Sequence, residues 1–330
     1  MAAALLGVGG YWIASTAGST AHSKASSRPK SLASQSAASR QRPVQASAPI
    51  GRIGTYRVAD GRITLREHSR VTATVRVLRV TIRFPEFVPS HGEVVPKAGL
   101  FPLVVFAPGF IQCDTSYHRL LRQWASAGYV VAAVNFPDTN CHVAKPDEAD
   151  LVNQPGDVAF VISRLRSQAN QGGDGWAALI APARIGIAGH SDGGDTVAAM
   201  AAASCCRDHL VRAVVVLAGA VWPALHGPWY ATPTPPMLFV QGGADSINPV
   251  AASVQLYRGD KSGIRYYLNM LGADHLAPYE GNGQQEAVVA RVTVDFLNQY
   301  LAGEHSVGAM LRTGHVPGIA ALGRGGKIPS

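Results

Sequence analysis

The run Arg184-Ile185-Gly186-Ile187-Ala188, followed at once by Gly189-His190-Ser191-Asp192-Gly193-Gly194, decides how this chain reads. It predicts a strand that enters a tight turn and leaves as a helix from Thr196 to Ala203. A serine hydroxyl is a weak nucleophile until it is presented to a base, with donors waiting for the oxyanion. A G-x-S-x-G turn does the presenting: the serine sits on strained backbone, and glycines fill the flanking positions because a side chain has no room there. The helix that follows aims its first amides at the place where negative charge develops. His190, inside the turn, reads as a packing or hydrogen-bonding residue.

The two partners such a serine needs come later, acid first and histidine second. Pro236-Met237-Leu238-Phe239-Val240-Gln241 is a short apolar run ending in Gly242-Gly243-Ala244-Asp245, so Asp245 falls just past a strand's carboxyl end. Arg265 to Leu271 is the next strand candidate, and Gly272-Ala273-Asp274-His275 puts His275 on the loop after it. The spacings, 54 residues from Ser191 to Asp245 and 30 more to His275, each leave room for a helix and a strand. In an open parallel sheet such loops collect on one edge. Ser, Asp, His is also the chain order of the α/β-hydrolase arrangement. His275 is expected to take the Ser191 proton as general base and return it to the leaving alcohol. Asp245 is expected to hold the imidazole in one tautomer and stabilise its charged form.

Each assignment has a competitor. Ser191 could belong to a plain strand-to-helix connector. Asp274 competes with Asp245, but it adjoins the histidine and could hardly reach the far ring nitrogen. His118, His142, His190, His209 and His226 compete with His275, yet only His275 follows a strand late in the chain.

A second oxyanion donor is expected after an earlier strand. Phe101 to Ala107 is that strand, and it runs into Pro108-Gly109-Phe110. Gly109 lets the backbone turn so that the Phe110 amide faces the site opposite the Asp192 amide; a generic Pro-Gly turn is the plainer alternative. The Asp192 carboxylate itself is unfavourable beside an oxyanion unless turned away or partnered. Between the strands Val214–Ala218 and Met237–Gln241 lie fewer than 20 residues, Gly219 to Pro236, containing Trp222, Trp229 and Tyr230. That is too short for a large lid and predicts an open cleft with Phe110 on one side and Trp222 on the other. Trp222 also fits an aromatic that caps the core.

Ala107-Pro108-Gly109-Phe110, the helix ending Gln123-Trp124-Ala125-Ser126-Ala127-Gly128-Tyr129, the segment Gln154 to Val161 and the turn at Ser191 together resemble the α/β-hydrolase serine esterases. Within them the chain is most similar to the branch of cutinase-like polyester hydrolases, bacterial lipases and platelet-activating-factor acetylhydrolase-like or dienelactone-hydrolase-like proteins. The resemblance covers residues 70 to 302. It implies a mostly parallel sheet with helices on both faces, a triad of Ser191, Asp245 and His275, and an oxyanion hole at Phe110 and Asp192. The chain also departs from the pattern. Polyester-active relatives commonly carry Met after the serine and Tyr where Phe110 stands, and dienelactone hydrolases proper use a cysteine nucleophile.

At 330 residues and 47% hydrophobic, the chain can bury one large core. The expected organisation is a signal-peptide remnant over 1–18, a Ser/Ala/basic linker over 19–50, a catalytic domain over 51–302 and a loosely ordered Gly-rich tail over 303–330. The linker supplies a good share of the net charge of +8. It has no interleaved aromatics and no recognisable module, which speaks against nucleic-acid binding. The apolar N-terminal segment is too short and Gly-rich to span a bilayer securely and fits export to the cell envelope or beyond. Arg76 to Phe84, Val130 to Asn135 and Val214 to Ala218 are further strands, and Ala287 to Leu301 is a closing helix. Cys113 and Cys141 both follow sheet strands on the catalytic edge, and a bridge between them would stabilise an exported protein by roughly 3–4 kcal/mol. Cys205 and Cys206 are adjacent, and free or separately paired thiols are expected there. No phosphate loop or metal-spaced His/Cys set is present in the sequence, so neither cofactor nor metal is expected.

The reading is therefore a monomeric serine carboxylic-ester hydrolase acting on short- to medium-chain esters through an acyl-enzyme. Polyester or lipid hydrolysis is the alternative within the fold. A non-catalytic binding module on the same scaffold is the alternative outside it, and a peptidase or a cofactor-free perhydrolase is a further variant.

Overall fold

A computed structural model describes residues 50–69, 71–86, 100–172, 175–261 and 263–329. The expected leader over 1–18 and all but the last residue of the linker lie outside the described residues. Nine strands make one sheet: β1 Val58–His68, β2 Val75–Pro85, β3 Phe101–Ala107, β4 Val130–Asn135, β5 Ile180–His190, β6 Val211–Leu217, β7 Met237–Gly242, β8 Arg265–Met270 and β9 Ala320–Arg324. Their spatial order is β1-β2-β4-β3-β5-β6-β7-β8-β9. The six strands from β4 to β8 run parallel, and antiparallel β1 and β2 on one side and β9 on the other complete the edges. This is the α/β-hydrolase fold.

The central strands are continuous apolar runs because helices cover both faces. Leu103 and Val105 of β3 point into one core layer, with Ile187 of β5 and Val158, Val161 and Leu165 of helix α2 (Gln154–Asn170). Val104 and Phe106 point into the other, with Leu121 and Trp124 of α1 (His118–Ser126) and Val292 and Phe296 of α6 (Gln284–Leu297). Two core layers from one strand follow from the two-residue period of side-chain direction. The first layer also takes in α3 (Asp192–Ala202) and α4 (Val250–Gly259).

β1 alternates half-buried and exposed residues along most of its length, as an edge strand with one wet face should. Its neighbour β2 is tied to α2 by the buried Arg76 guanidinium, 2.6 Å from Asp157 and 2.7 Å from Asp150.

Two expectations need correction. The segment from 303 onward is not a loose tail. Helix α7 (Val307–Thr313) buries Met310 and bonds Thr313 Oγ1 to Asp295 Oδ2 of α6 at 2.8 Å. β9 then pairs with β8 from Tyr266↔Arg324 to Met270↔Ala320. Its strand conformation comes from the open edge of β8 rather than from its own composition, and a Cβ at Gly323 would run into the Lys327 carbonyl. Nor are Cys205 and Cys206 free: they form a disulfide with each other. The chain reverses there in a hydrogen-bonded turn, Cys206 N–H donating to the Ala203 carbonyl and Ser204 N–H to that of Pro228.

Candidate active site

Ser191 lies between the end of β5 and the start of α3 with φ 55° and ψ −123°, backbone that a side-chain-bearing residue seldom adopts. The strain is held from both sides. Ser191 N–H donates to Leu217 O of β6 at 3.0 Å, and Ser191 O accepts from Asp195 N–H at 2.9 Å. The flanking glycines are steric requirements. A Cβ at Gly189 would strike the Gly193 carbonyl, and one at Gly193 would strike the Ala107 carbonyl of β3. Every residue of α3 is buried, so the helix cannot swing away, while Ser191 itself is half-buried.

Asp245 follows β7, and its carboxylate is fully engaged. Oδ1 accepts from the Ile247 and Asn248 amides, both at 2.9 Å, and Oδ2 accepts from Gln241 Nε2 at 3.0 Å. The remaining contact is His275 Nδ1, 2.8 Å from Asp245 Oδ2. A carboxylate accepts, so Nδ1 carries the proton and the Nε2 lone pair is left free. The two loops are sewn together by Ala244 N–H donating to Ala273 O at 2.8 Å. The His275 ring also lies 4.6 Å, centre to centre, from that of His190, the residue before Ser191.

The competing residues go elsewhere. Asp274 is exposed, and its Oδ1 accepts from the Leu276 and Ala277 amides at 3.0 and 2.7 Å, starting the single-turn helix α5 (Ala277–Glu280). His118, His142, His209 and His226 are exposed, and His275 is the one histidine among the described residues with a carboxylate at hydrogen-bond distance. His190 is buried, and its pKa is lowered to about 3, first by burial and then by the neighbouring His275, so it stays neutral.

The β3–α1 loop passes directly behind the serine: a Cβ built on Gly109 would lie 3.0 Å from Ser191 Cβ. Phe110 is half-buried beside it. Ile111 has φ 60° and donates its amide to Thr139 O at 2.8 Å. Cys113 is joined to Cys141 by a disulfide that ties this loop to the one after β4. The Asp192 side chain is buried, and its Oδ2 has no hydrogen-bond partner among the described residues. Burial first, and the Glu148 charge second, push its carboxyl up to about 7. Asp195 is held well above the usual carboxylate range, chiefly by burial, with its Oδ1 accepting the Ala220 amide.

No helix or strand interrupts the connection from Ala218 to Pro236. Trp222 rests half-buried on the small cluster of Leu151, Ala199, Ala203 and Leu225. More prominent are three exposed aliphatic side chains, each within two residues of a predicted site residue. They are Ile111 beside Phe110, 49% exposed, Ile247 beyond Asp245, 64% exposed, and Leu276 beside His275, 39% exposed. The sequence reading passed over them. Their signal in the sequence is an apolar residue inside an otherwise polar, Gly-rich loop.

Residues 95–312 match the PET hydrolase-like family, a stretch that contains Phe110, Ser191, Asp245 and His275. The chain belongs to that family. A bis(hydroxyethyl) terephthalate hydrolase of Streptomyces coelicolor is 28% identical over 208 residues, which is 62% of this chain and 58% of that protein. The chain thus spans just under three fifths of that relative's length. As a PET hydrolase-like chain it carries Asp192 after the candidate nucleophile, in a buried and poorly solvated setting that raises its pKa.

Proposed function

We propose that the protein is a serine hydrolase of polyester-type esters, including small aromatic diesters and their oligomers. The observation that carries this reading is the Asp245–His275 pair, 2.8 Å apart, packed against a Ser191 turn within a PET hydrolase-like chain. In this scheme His275 Nε2 takes the Ser191 proton as Oγ attacks the ester carbonyl. The oxyanion is held by the Phe110 and Asp192 amides. His275 then returns the proton to the leaving alcohol, and the acyl-enzyme is opened by water activated at the same nitrogen. The general short-chain esterase expected from the sequence gives way to the polyester reading on two grounds: the family, and the exposed aliphatic side chains Ile111, Ile247 and Leu276, each next to or two residues from a proposed site residue.

The two disulfides support an exported protein, because such bonds persist in oxidising compartments. No helix of the described residues is long and apolar enough to cross a membrane.

The test compares the wild type with Ser191→Ala on bis(hydroxyethyl) terephthalate, para-nitrophenyl butyrate and para-nitrophenyl palmitate. Release of aromatic acid from the first, lost in the variant, is the expected result. Turnover of butyrate alone would return the general esterase reading, palmitate preference would make it a lipase, and no turnover by folded protein would leave the binding-module reading.

A further inference from the structure

Beneath the candidate triad lies a buried polar chain that the reaction scheme does not use. Tyr117, the residue before α1, is fully buried, and its Oη is 2.8 Å from His190 Nδ1. His190 Nε2 is 2.9 Å from the backbone carbonyl of His275. At the other end the Gly109 amide donates to Tyr117 Oη at 3.2 Å. The direction of every bond can be worked out. A carbonyl oxygen only accepts, so His190 carries its proton on Nε2. The ring is neutral, which leaves a lone pair on Nδ1 that must accept, so the Tyr117 hydroxyl donates to it. The phenol oxygen in turn accepts the Gly109 N–H. Reversing the tautomer would set the Nε2 lone pair against the carbonyl lone pairs in a buried site and leave both without a donor.

The ends of this chain are telling. Gly109 is the residue before the proposed oxyanion donor Phe110. His275 is the proposed general base. His190 is the residue before the proposed nucleophile. We propose that Tyr117 and His190 are positioning residues: their one-way hydrogen-bond chain sets the spacing of the oxyanion loop and the general-base loop on either side of Ser191. The imidazole also packs against two rings, Tyr279 and His275, each 4.6 Å away between centres. Tyr279 is itself anchored by donating to the Val240 carbonyl of β7 at 3.1 Å. Burial, with the neighbouring Glu280 charge as the second cause, keeps the Tyr117 phenol protonated and able to donate. Donation to Glu280 instead would leave phenol lone pairs facing the Nδ1 lone pair. The chain matters for rate because misplacing a donor or base by a fraction of an ångström weakens the transition state while leaving ground-state binding nearly intact.

This inference rests on the hydrolase reading of Ser191 and His275, and its test separates the two. The first measurement needs no substrate: long-range proton–nitrogen correlation spectra of uniformly labelled protein between pH 5 and 9. His190 is expected as a neutral ring with the proton on Nε2 throughout, and the Gly109 amide as a slowly exchanging proton that loses protection in Tyr117→Phe. A ring protonated on Nδ1, or one that titrates in that range, overturns the chain. The second measurement is kinetic, on variants whose thermal melts show them folded. Tyr117→Phe is expected to lower kcat about tenfold with KM within about twofold of wild type. His190→Gln, whose amide can still reach the His275 carbonyl, should keep more of kcat than His190→Leu. Wild-type kcat in Tyr117→Phe, or equal losses in the two His190 variants, sinks the positioning role. If the wild type hydrolyses no ester, the functional reading fails while the tautomer and exchange results still decide whether the chain exists.

Discussion

The turn that carries Ser191 and the loop that carries Phe110 leave neighbouring parallel strands, β5 and β3, yet they are held in different ways. The turn is held by close backbone packing, within itself and against the adjoining strands β3 and β6. Its glycines meet backbone atoms only a few ångströms away, and its helix is buried along its whole length. The loop is held by side-chain and cross-loop contacts: the Thr139 carbonyl and the Cys141 sulfur from the loop after β4, and the Tyr117 hydroxyl at its own far end. Geometry imposed by local sterics is rigid and legible in a motif. Geometry imposed by remote partners is adjustable, and invisible until the chain has folded.

The sharpest break in that comparison is Ser191→Ala. It removes the proposed reacting oxygen while preserving the turn, so ester hydrolysis should fall a thousandfold or more with the urea midpoint unchanged. Gly193→Ala does the opposite. Its methyl would meet the Ala107 carbonyl of β3, which cannot rotate aside, so about 3 kcal/mol or more of stability should be lost on urea titration. A variant as stable as wild type would mean that the turn has slack.

The loop is tested by replacing Cys113 and Cys141 together with serine. Their separation of 28 residues gives a loop-closure contribution of about 3–4 kcal/mol, and kcat should fall as the Phe110 loop loosens. Unchanged kinetics would show that Tyr117 and Thr139 hold the loop unaided.

Asp192→Asn probes the turn's electrostatics without touching its amide. The folded carboxyl titrates near 7, against an ordinary value of 3.8, so the unfolded chain releases the proton first. Its contribution to stability therefore declines as pH rises from about 4 to 7 and is fully unfavourable above that. The asparagine variant should match wild type at pH 4 and exceed it at pH 8 by about 1–3 kcal/mol, the range for an unsatisfied buried polar group. An advantage that shrinks with rising pH would contradict the assignment. The smallest effect is expected from replacing Cys205 and Cys206 with serine. That bridge closes almost no loop, so about 1 kcal/mol and no kinetic change should follow.

Much of the fold was legible because buried parallel strands are apolar on both faces. Val214 to Leu217 and Met237 to Gln241 could hardly be anything else once helices alternate with them. β9 was illegible for the opposite reason: Ala320-Ala321-Leu322-Gly323-Arg324 has little strand preference and is recruited by the edge of β8. Tyr117 was illegible because a lone tyrosine before a helix carries no pattern, and its meaning lies in joining the nearby Gly109 amide to His190, 73 residues further on.

By itself the sequence determined where a strained serine could sit, since only glycine tolerates backbone carbonyls at those positions. It also determined the order in which an acid and a histidine would arrive on one edge of the sheet, since apolar runs set the strands and polar Gly-rich runs set the loops. The tertiary structure decided which carboxylate meets the histidine. Asp274 is nearer in sequence but spends its oxygen on two amides of its own turn, while Asp245 crosses from the neighbouring strand to within 2.8 Å. It also decided that Asp192 would be buried with an oxygen that has no partner among the described residues, and that β9 would form an edge of the sheet. Hydrogen bonds and burial depend on distance in space, and chain separation does not encode that distance until the sheet has assembled.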